Sequence, residues 1–295
     1  MDTIRCSIGI MAHNEEANIG QLLQRLLEQK LTTAAITEIV VVASGCTDRT
    51  EEIVREWAAR DGRIKLYTQP TREGKASGVN LFLREASEEV VVLSSADLLP
   101  DYHTIQKLIE PMSDPDVGMT SGRPVPVNDP ETFMGFAAHL LWNLHHQVAR
   151  QHFKAGEMTA FRLIFQRIPY DSAVDEASVE PVIKGQGYKT AYVPDAIIHN
   201  KGPETIADFL RQRRRIYAGH MAVRNNLGYV VSTMSGWRIL RILLRHLDWR
   251  PRRLLWTAGV VALEIYGRWL GWRDFRTQRQ QHIVWEIAKT TKRLT

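Results

Sequence analysis

An α/β architecture is the fold class this sequence predicts, with a mostly parallel central sheet, helices on both faces and a helical C-terminal tail. Three observations predict it. Short apolar, strand-like runs alternate with amphipathic helical segments between Arg5 and Thr120, and repeated strand–helix order builds parallel, doubly covered sheets. The chain has 295 residues, enough for one large domain with an appendage and a sizeable core. Charge is uneven: from Asn226 onward 13 Lys/Arg stand against 4 Asp/Glu, a net of +9 in a chain of +5, which leaves −4 for residues 1–225. That same stretch holds six of the eight tryptophans. A mildly acidic body, 1–225, and a basic, Trp-rich tail, 226–295, are therefore expected, with an anionic surface as the tail's partner.

Arg5–Met11 reads as the first strand. The helix after it carries Ile19, Leu22, Leu23, Leu26 and Leu27 as one apolar stripe. Asn14 is placed to cap it, and Glu15 and Glu16 suit its first turn. Ile39–Val42 is the second strand. The next helix, about Asp48–Arg60, has Asp48 and Glu51 in capping-box spacing. Ile64–Tyr67, Val90–Leu93 and Val117–Thr120 complete the strands, with helices after Gly74 and after Asp101. Beyond Pro124-Val-Pro126, Phe133–Phe153 reads as a long helix with one apolar face. Its His139, His145, His146 and His152 lack the i, i+4 spacing and nearby acids of a metal pair, which favours packing. The N-terminus enters a strand pattern directly, without the features of a signal peptide. Cys6 and Cys46 sit in or beside apolar strands without disulfide or metal spacing, so buried free thiols and a reducing, cytosolic setting are expected.

The most informative stretch is EVVVLSSAD, Glu89–Asp97. A buried strand runs through Ser94, Ser95 and Ala96 into one carboxylate. Ligands of open α/β sheets bind beyond the carboxyl ends of strands, and an Asp there suits a hard divalent cation that in turn holds phosphates. Asn14-Glu15-Glu16, Ser44–Asp48, Gly74-Lys75, Asp175-Glu176 and Gln212–Arg215 add, in order, polar and charged groups for a nucleotide, a diphosphate and a general base.

These segments resemble the family 2 glycosyltransferases. AHNEEANIGQLL is similar to that family's first-strand turn, IVVVASGCTDRT to its VVDDGSTDGT segment, and REGKASGVN to its Gly-Lys element. VVLSSADLLP resembles the strand ending in Asp-x-Asp, and GEMTAFR the segment before the acceptor site. DEASVEPVIKGQGYKTAYVPDA resembles the acidic pair with its later Gly-Tyr, and RQRRRIYAGH the Gln-x-x-Arg-Trp motif. Together they span roughly residues 4–222, and seven weak motifs in the right order are specific.

The resemblance implies the GT-A fold and sugar transfer, with inversion, from a nucleotide-diphosphate sugar to a lipid-linked, glycan or membrane-proximal acceptor, in polysaccharide or glycolipid biosynthesis. It implies that Asn14, Glu15, Asp48, Lys75, Ser95 and Asp97 bind the donor, and that Asp97 holds Mg²⁺ or Mn²⁺. Glu176 stands where the family's base stands, with Asp175 beside it. Gln212, Arg214 and Arg215 would line the acceptor and diphosphate side; three consecutive arginines point different ways around a helix, so not all face the site. Where the family carries Asp-x-Asp, Ser95 replaces the first Asp, Ala43 replaces an Asp that touches the base, and Ile216 replaces the Trp. These departures motivate a second reading, a catalytically silent nucleotide- or lipid-binding membrane module on the same scaffold.

In the tail, Ser235–Leu247 reads as an amphipathic helix, with Trp237, Leu240, Leu243, Leu244 and Leu247 on one face and Arg238, Arg241 and Arg245 on another. Leu254–Leu263 has no charge but is too short to span a bilayer. Glu264 and Arg268 disfavour a longer crossing, so a re-entrant or surface-lying hairpin is expected, with Trp256, Trp269 and Trp272 at headgroup depth. A peripheral or re-entrant place on the cytoplasmic face of the plasma membrane, against anionic lipids, follows. Nucleic acid is disfavoured, since Trp and Leu alternate with Arg at helical spacing and no nucleic-acid motif is present.

Overall fold

The computed structural model describes residues 3–169, 175–277, 289–291 and 294, and within these the side chains of Asp175, Glu176, Leu227 and Lys289 are not described. The N-terminal half alternates as expected: β1 (Ile4–Ala12), α1 (Ile19–Leu27), β2 (Ala34–Ser44), α2 (Thr50–Arg60), β3 (Ile64–Gln69), α3 (Lys75–Glu85) and β4 (Val90–Ser95). There follow a short β5 (Leu99–Pro100), α4 (Thr104–Ile109), β6 (Val117–Pro126), α5 (Phe133–Gln151), β7 (Thr159–Arg162), α6 (Asp175–Gly185) and β8 (Lys189–Asn200). Three further α-helices close the described chain: α7 (Ile206–Leu227), α8 (Gly236–Arg245) and α9 (Pro251–Thr277).

All eight strands form one sheet in the order β3-β2-β1-β4-β7-β6-β8-β5. The first four are parallel. The other half is mixed, because β7 runs antiparallel to both β4 and β6, and β5 antiparallel to β8. The parallel half explains the continuous apolar runs, since both faces are buried. Cys6, Ile8, Ile10, Ile39 and Val41 pack against Leu22 and Leu26 of α1 and Ile105 and Leu108 of α4. Val40, Val42, Val91 and Leu93 point the other way, onto Val79 and Phe82 of α3 and Val179 and Ile183 of α6.

Two local expectations change. Asn14 does not cap α1, which starts at Ile19; Asn14 adopts a left-handed φ of 53°. Its amide spans instead to Thr47, accepting from the Thr47 N–H at 2.8 Å and donating to its hydroxyl at 3.1 Å. Asp48 does precede α2, but it accepts from the Thr50 N–H and hydroxyl, two residues on, rather than forming a capping box. Asn is among the few side chains that tolerate this backbone region, and here it locks the first βα turn to the second.

The tail packs on the body. Helix α7 crosses the expected boundary at 225/226. Leu144 and Val148 of α5 meet Ile242 and Leu243 of α8, and Met134, Ala137, Phe209 and Val260 join α5, α7 and α9. Helix α9 is one continuous 27-residue helix rather than a hairpin. It lies close to α7 at Gly267 and Gly271: a Cβ on Gly271 would stand 2.7 Å from the Arg214 carbonyl oxygen. Trp256 is half-buried against Phe133 and Phe136, with Arg252 over its ring. Trp237, Trp249, Trp269 and Trp272 are exposed, and Trp285 lies outside the described residues. Among the described residues, no helix is long and apolar enough to cross a membrane.

Candidate active site

The parallel strands end on a common edge, and a cavity of about 830 Å³ opens there. The end of β1 contributes Met11 and Ala12, followed by His13 and Glu15, and the end of β4 contributes Ser95 and then Asp97. The Ala96 N–H donates to the Met11 carbonyl at 3.2 Å, extending the β1–β4 pairing to the residue before Asp97. Asp97 thus stands just past the parallel pair, half-buried on the cleft floor. Lys75 is the first residue of α3, behind Gly74, whose φ of 91° is open to glycine and strained for L side chains. That turn brings the Lys75 side chain to the cleft wall.

The opposite wall comes from α7. Gln212 and Arg215 line the cleft, as does Arg213. Arg214 does not join them. It turns to α9 and forms a two-point pair with buried Asp274, at 2.8 and 3.0 Å. Three successive arginines diverge around the helix, as their spacing requires, and the one that leaves the cleft finds a carboxylate rather than solvent. Asp175 and Glu176 open α6, and Ala177, the next residue, lines the cleft; the side chains of the acidic pair lie outside the described residues. Of the donor-side residues, Glu15 lines the cleft and accepts from the Asn18 amide at 3.0 Å. Asn14 and Asp48 are engaged across the two βα turns. Burial acts upward on the Asp48 carboxyl, but hydrogen bonds from Thr50 and from the Glu16 N–H outweigh it and hold the carboxyl below its usual range.

Several cleft residues fall outside the candidate set, although Arg72 lies in the REGKASGVN segment and Glu157 in GEMTAFR. Arg72 lies two residues before Gly74; burial, and then the charge of Arg215, lower its pKa. Glu157 follows Gly156 ahead of β7. Burial, and then the negative charge of Asp97, push its carboxyl above the usual range, while Lys75 and Arg215 pull it back. Asn200 ends β8, only 6% exposed, and donates to Glu157 Oε1 at 3.4 Å. Its Oδ1 is buried and has no hydrogen-bond partner among the described residues. The neighbouring His199 pairs with Asp101 at 3.0 Å instead of entering the cleft.

The α5 histidines are structural. His139 and His145 bond the carbonyls of Asn128 and Ala155, and His146 bonds the Tyr192 hydroxyl. Burial, and then the charge of Lys154, drive His145 down to about 3. Deeper in, the cleft turns apolar. Leu140 and Leu144 of α5, Ile239 and Leu243 of α8, and Val260 and Ile265 of α9 form its walls. Leu240, Val261 and Ile265 line it and are also exposed, so the apolar branch reaches the outer surface of the tail helices.

A sheet whose parallel half carries a polar, cationic cleft at its carboxyl edge fits the nucleotide-binding α/β enzymes. The model of "Glycosyl transferase family 2" matches residues 7–169, and that of "Glycosyl transferase family group 2" matches residues 90–277. The chain belongs to glycosyltransferase family 2. Among curated relatives, the probable glycosyltransferase YdaM of Bacillus subtilis is 26% identical over 235 residues, covering 74% of this chain and 56% of that protein. Poly-beta-1,6-N-acetyl-D-glucosamine synthase of Staphylococcus aureus is 24% identical over 219 residues, covering 70% of this chain and 52% of that protein. The chain spans about half the length of the curated relatives it matches. Among solved structures, the mannosyltransferase PcManGT of Pyrobaculum calidifontis, in complex with GDP-Man and Mn²⁺, superposes with a TM-score of 0.67 at 22% identity, covering 94% of this chain and 88% of that one. TarS 1–349 of S. aureus, in complex with UDP-GlcNAc, superposes at 0.52 with 15% identity, covering 93% and 92%. At these identities the structural likeness is one of fold.

Proposed function

We propose that this chain transfers a sugar from a nucleotide-diphosphate sugar to a lipid-linked acceptor, with inversion by single displacement, at a membrane surface bearing anionic lipids. One observation carries this reading: a single cleft is polar and cationic at the sheet's carboxyl edge and apolar between α5, α8 and α9, where it reaches an exposed face. Its volume of about 830 Å³ falls in the range of small-molecule sites. The GDP-Man and Mn²⁺ held by PcManGT, and the UDP-GlcNAc held by TarS, support a sugar nucleotide at the polar end.

Each residue then has a task. Lys75, Arg72 and Arg215 oppose the charge of a diphosphate. The oxygen donors of Asp97 and Ser95 suit Mg²⁺ or Mn²⁺, and Asp97 would hold it; when bound, such an ion neutralises phosphate charge. In the reaction an acceptor oxygen forms a bond to the anomeric carbon as the bond from that carbon to the diphosphate breaks, and the departing nucleoside diphosphate keeps the electron pair. Lys75 and Arg215 stabilise that departing charge. Glu176, next to cleft-lining Ala177, takes the proton of a hydroxyl acceptor, with Asp175 beside it. A phosphate acceptor is already ionised, and Glu176 then positions it.

The test is transfer by the purified chain from GDP- and UDP-sugars to polyprenyl phosphate and to alcohol acceptors. Glu176→Gln should lower transfer to an alcohol by about 10²- to 10⁴-fold while nucleotide binding survives. Full turnover by that variant removes the base. Nucleotide binding by the parent without transfer to any acceptor favours the silent module.

A further inference from the structure

We propose that Glu157 is the second carboxylate of a divalent-cation site, with Asp97 as the first and the Asn200 amide oxygen beside them. The inference rests on the cleft's being a sugar-nucleotide site. It names the oxygens that serve where Ser95 offers a hydroxyl in place of a carboxylate.

Both acids line the same polar end of the cleft, and the charge of Asp97 acts on Glu157. The backbone holding Glu157 is tied down on both sides. Before it, the Gly156 N–H donates to the Ser121 hydroxyl at 2.7 Å. After it, β7 is paired to both β4 and β6. Glu157 therefore enters the cleft lining that it shares with Asp97 from a fixed strand entrance rather than from a loose loop. Two carboxylates in one cleft lining repel; Lys75 and Arg215 offset part of this at Glu157, and a bound divalent cation would offset it further.

Asn200 supplies an independent observation. Its Nδ2 faces Glu157 Oε1 at 3.4 Å, the orientation that an ionised carboxylate requires of an amide. The carbonyl oxygen is then left buried in the cleft lining without a donor among the described residues. Buried polar atoms are nearly always satisfied, and an orphan at a site calls for a missing partner. A hard cation is a partner that two carboxylates and an amide carbonyl all suit. The alternation of β8 explains why Asn200 serves and His199 does not: the histidine points to the other side and pairs with Asp101.

The experiment is Mn²⁺ titration of the full chain, by calorimetry and by the paramagnetic resonance of free Mn²⁺, with GDP or UDP present. Parent, Glu157→Gln, Asn200→Ala and Asp97→Asn are compared, with thermal melting as the check on folding; Glu157→Gln keeps the side-chain shape. Glu157→Gln should weaken Mn²⁺ binding by about 10- to 100-fold, with nucleotide affinity in the absence of metal unchanged, and Asn200→Ala should weaken it by a smaller factor. Glu157→Gln that binds Mn²⁺ as the parent does, while Asp97→Asn loses it, overturns the assignment of Glu157 and leaves Asp97 in place. A parent chain that takes up no Mn²⁺ with either nucleotide overturns both.

Discussion

Glu38 is the residue on which the edge of the parallel sheet turns. It is 2% exposed. It accepts from the Ser7 hydroxyl at 2.6 Å, the Lys65 ammonium at 2.6 Å, and the Ser87 N–H and hydroxyl at 2.7 and 2.8 Å. Burial works against its charge, but these donors outweigh burial and bring its pKa from 4.5 to about 2. A carboxyl lowered in the folded state stabilises above its ordinary pKa and loses that contribution as pH falls toward the folded value. The parent should therefore lose urea resistance between pH 4.5 and about 2 more steeply than Glu38→Gln. At neutral pH, Glu38→Ala should cost about 2 kcal/mol, because it strands buried donors. An unchanged urea midpoint in Glu38→Ala would refute this account. The same scale shows what sequence can reveal of a site. Lys75 was legible because it opens α3 behind Gly74, Asp97 because it follows the end of β4, and Gln212 and Arg215, inside α7, only through the Gln-x-x-Arg resemblance; all four line the cleft. Glu157 and Asn200 were not, because they meet only where the chain enters antiparallel β7 and leaves β8, and Arg72, ahead of α3, joins them only in the folded cleft. Asn14 read as a cap because capping chemistry and a left-handed turn favour the same residue type.

Among the elements, β1 to β4 and α1 to α5 announce themselves by periodicity, whereas β7 does not. Four residues, Thr159–Arg162, show no pattern; their strand character comes from being hydrogen-bonded on both sides. Helix α6 holds Pro181 within it, which argues locally against a helix and is overruled by Val179 and Ile183 packing on the sheet. The α7–α9 pair depends on Gly267, Gly271 and the buried Arg214–Asp274 pair. Gly271→Leu should force the helices apart and lower the melting temperature, and Asp274→Ala, which removes the two-point pair with Arg214, should cost about 2 kcal/mol. Hydrogen exchange along α9 reads both; protection equal to the parent's would show that this contact does not hold the helix.

For the whole molecule, the asymmetry of charge becomes an asymmetry of surface. Exposed Trp237, Leu244, Leu255, Trp269 and Trp272 belong to α8 and α9, and Arg238, Arg241 and Arg245 accompany them on α8. The chain should sediment with phosphatidylglycerol-containing vesicles and much less with neutral ones. Arg238→Glu, Arg241→Glu and Arg245→Glu together should weaken this by at least about 3 kcal/mol, since each basic residue contributes about 1 kcal/mol near an anionic leaflet. High salt should have the same sense of effect. Equal partition to neutral vesicles, or indifference to the three reversals, would leave the exposed face without this partner.

Helix α7 is loaded from two sides. One side offers Gln212 and Arg215 to the cleft, and the other abuts α9 with no room for a methyl group at Gly271. Packed interiors are stiff and pass strain on rather than absorb it. A roll of α9 about its long axis must consequently displace the backbone carrying Arg213 to Arg215. A load on the outer flank of α9 therefore meets the Arg214 backbone directly at Gly271.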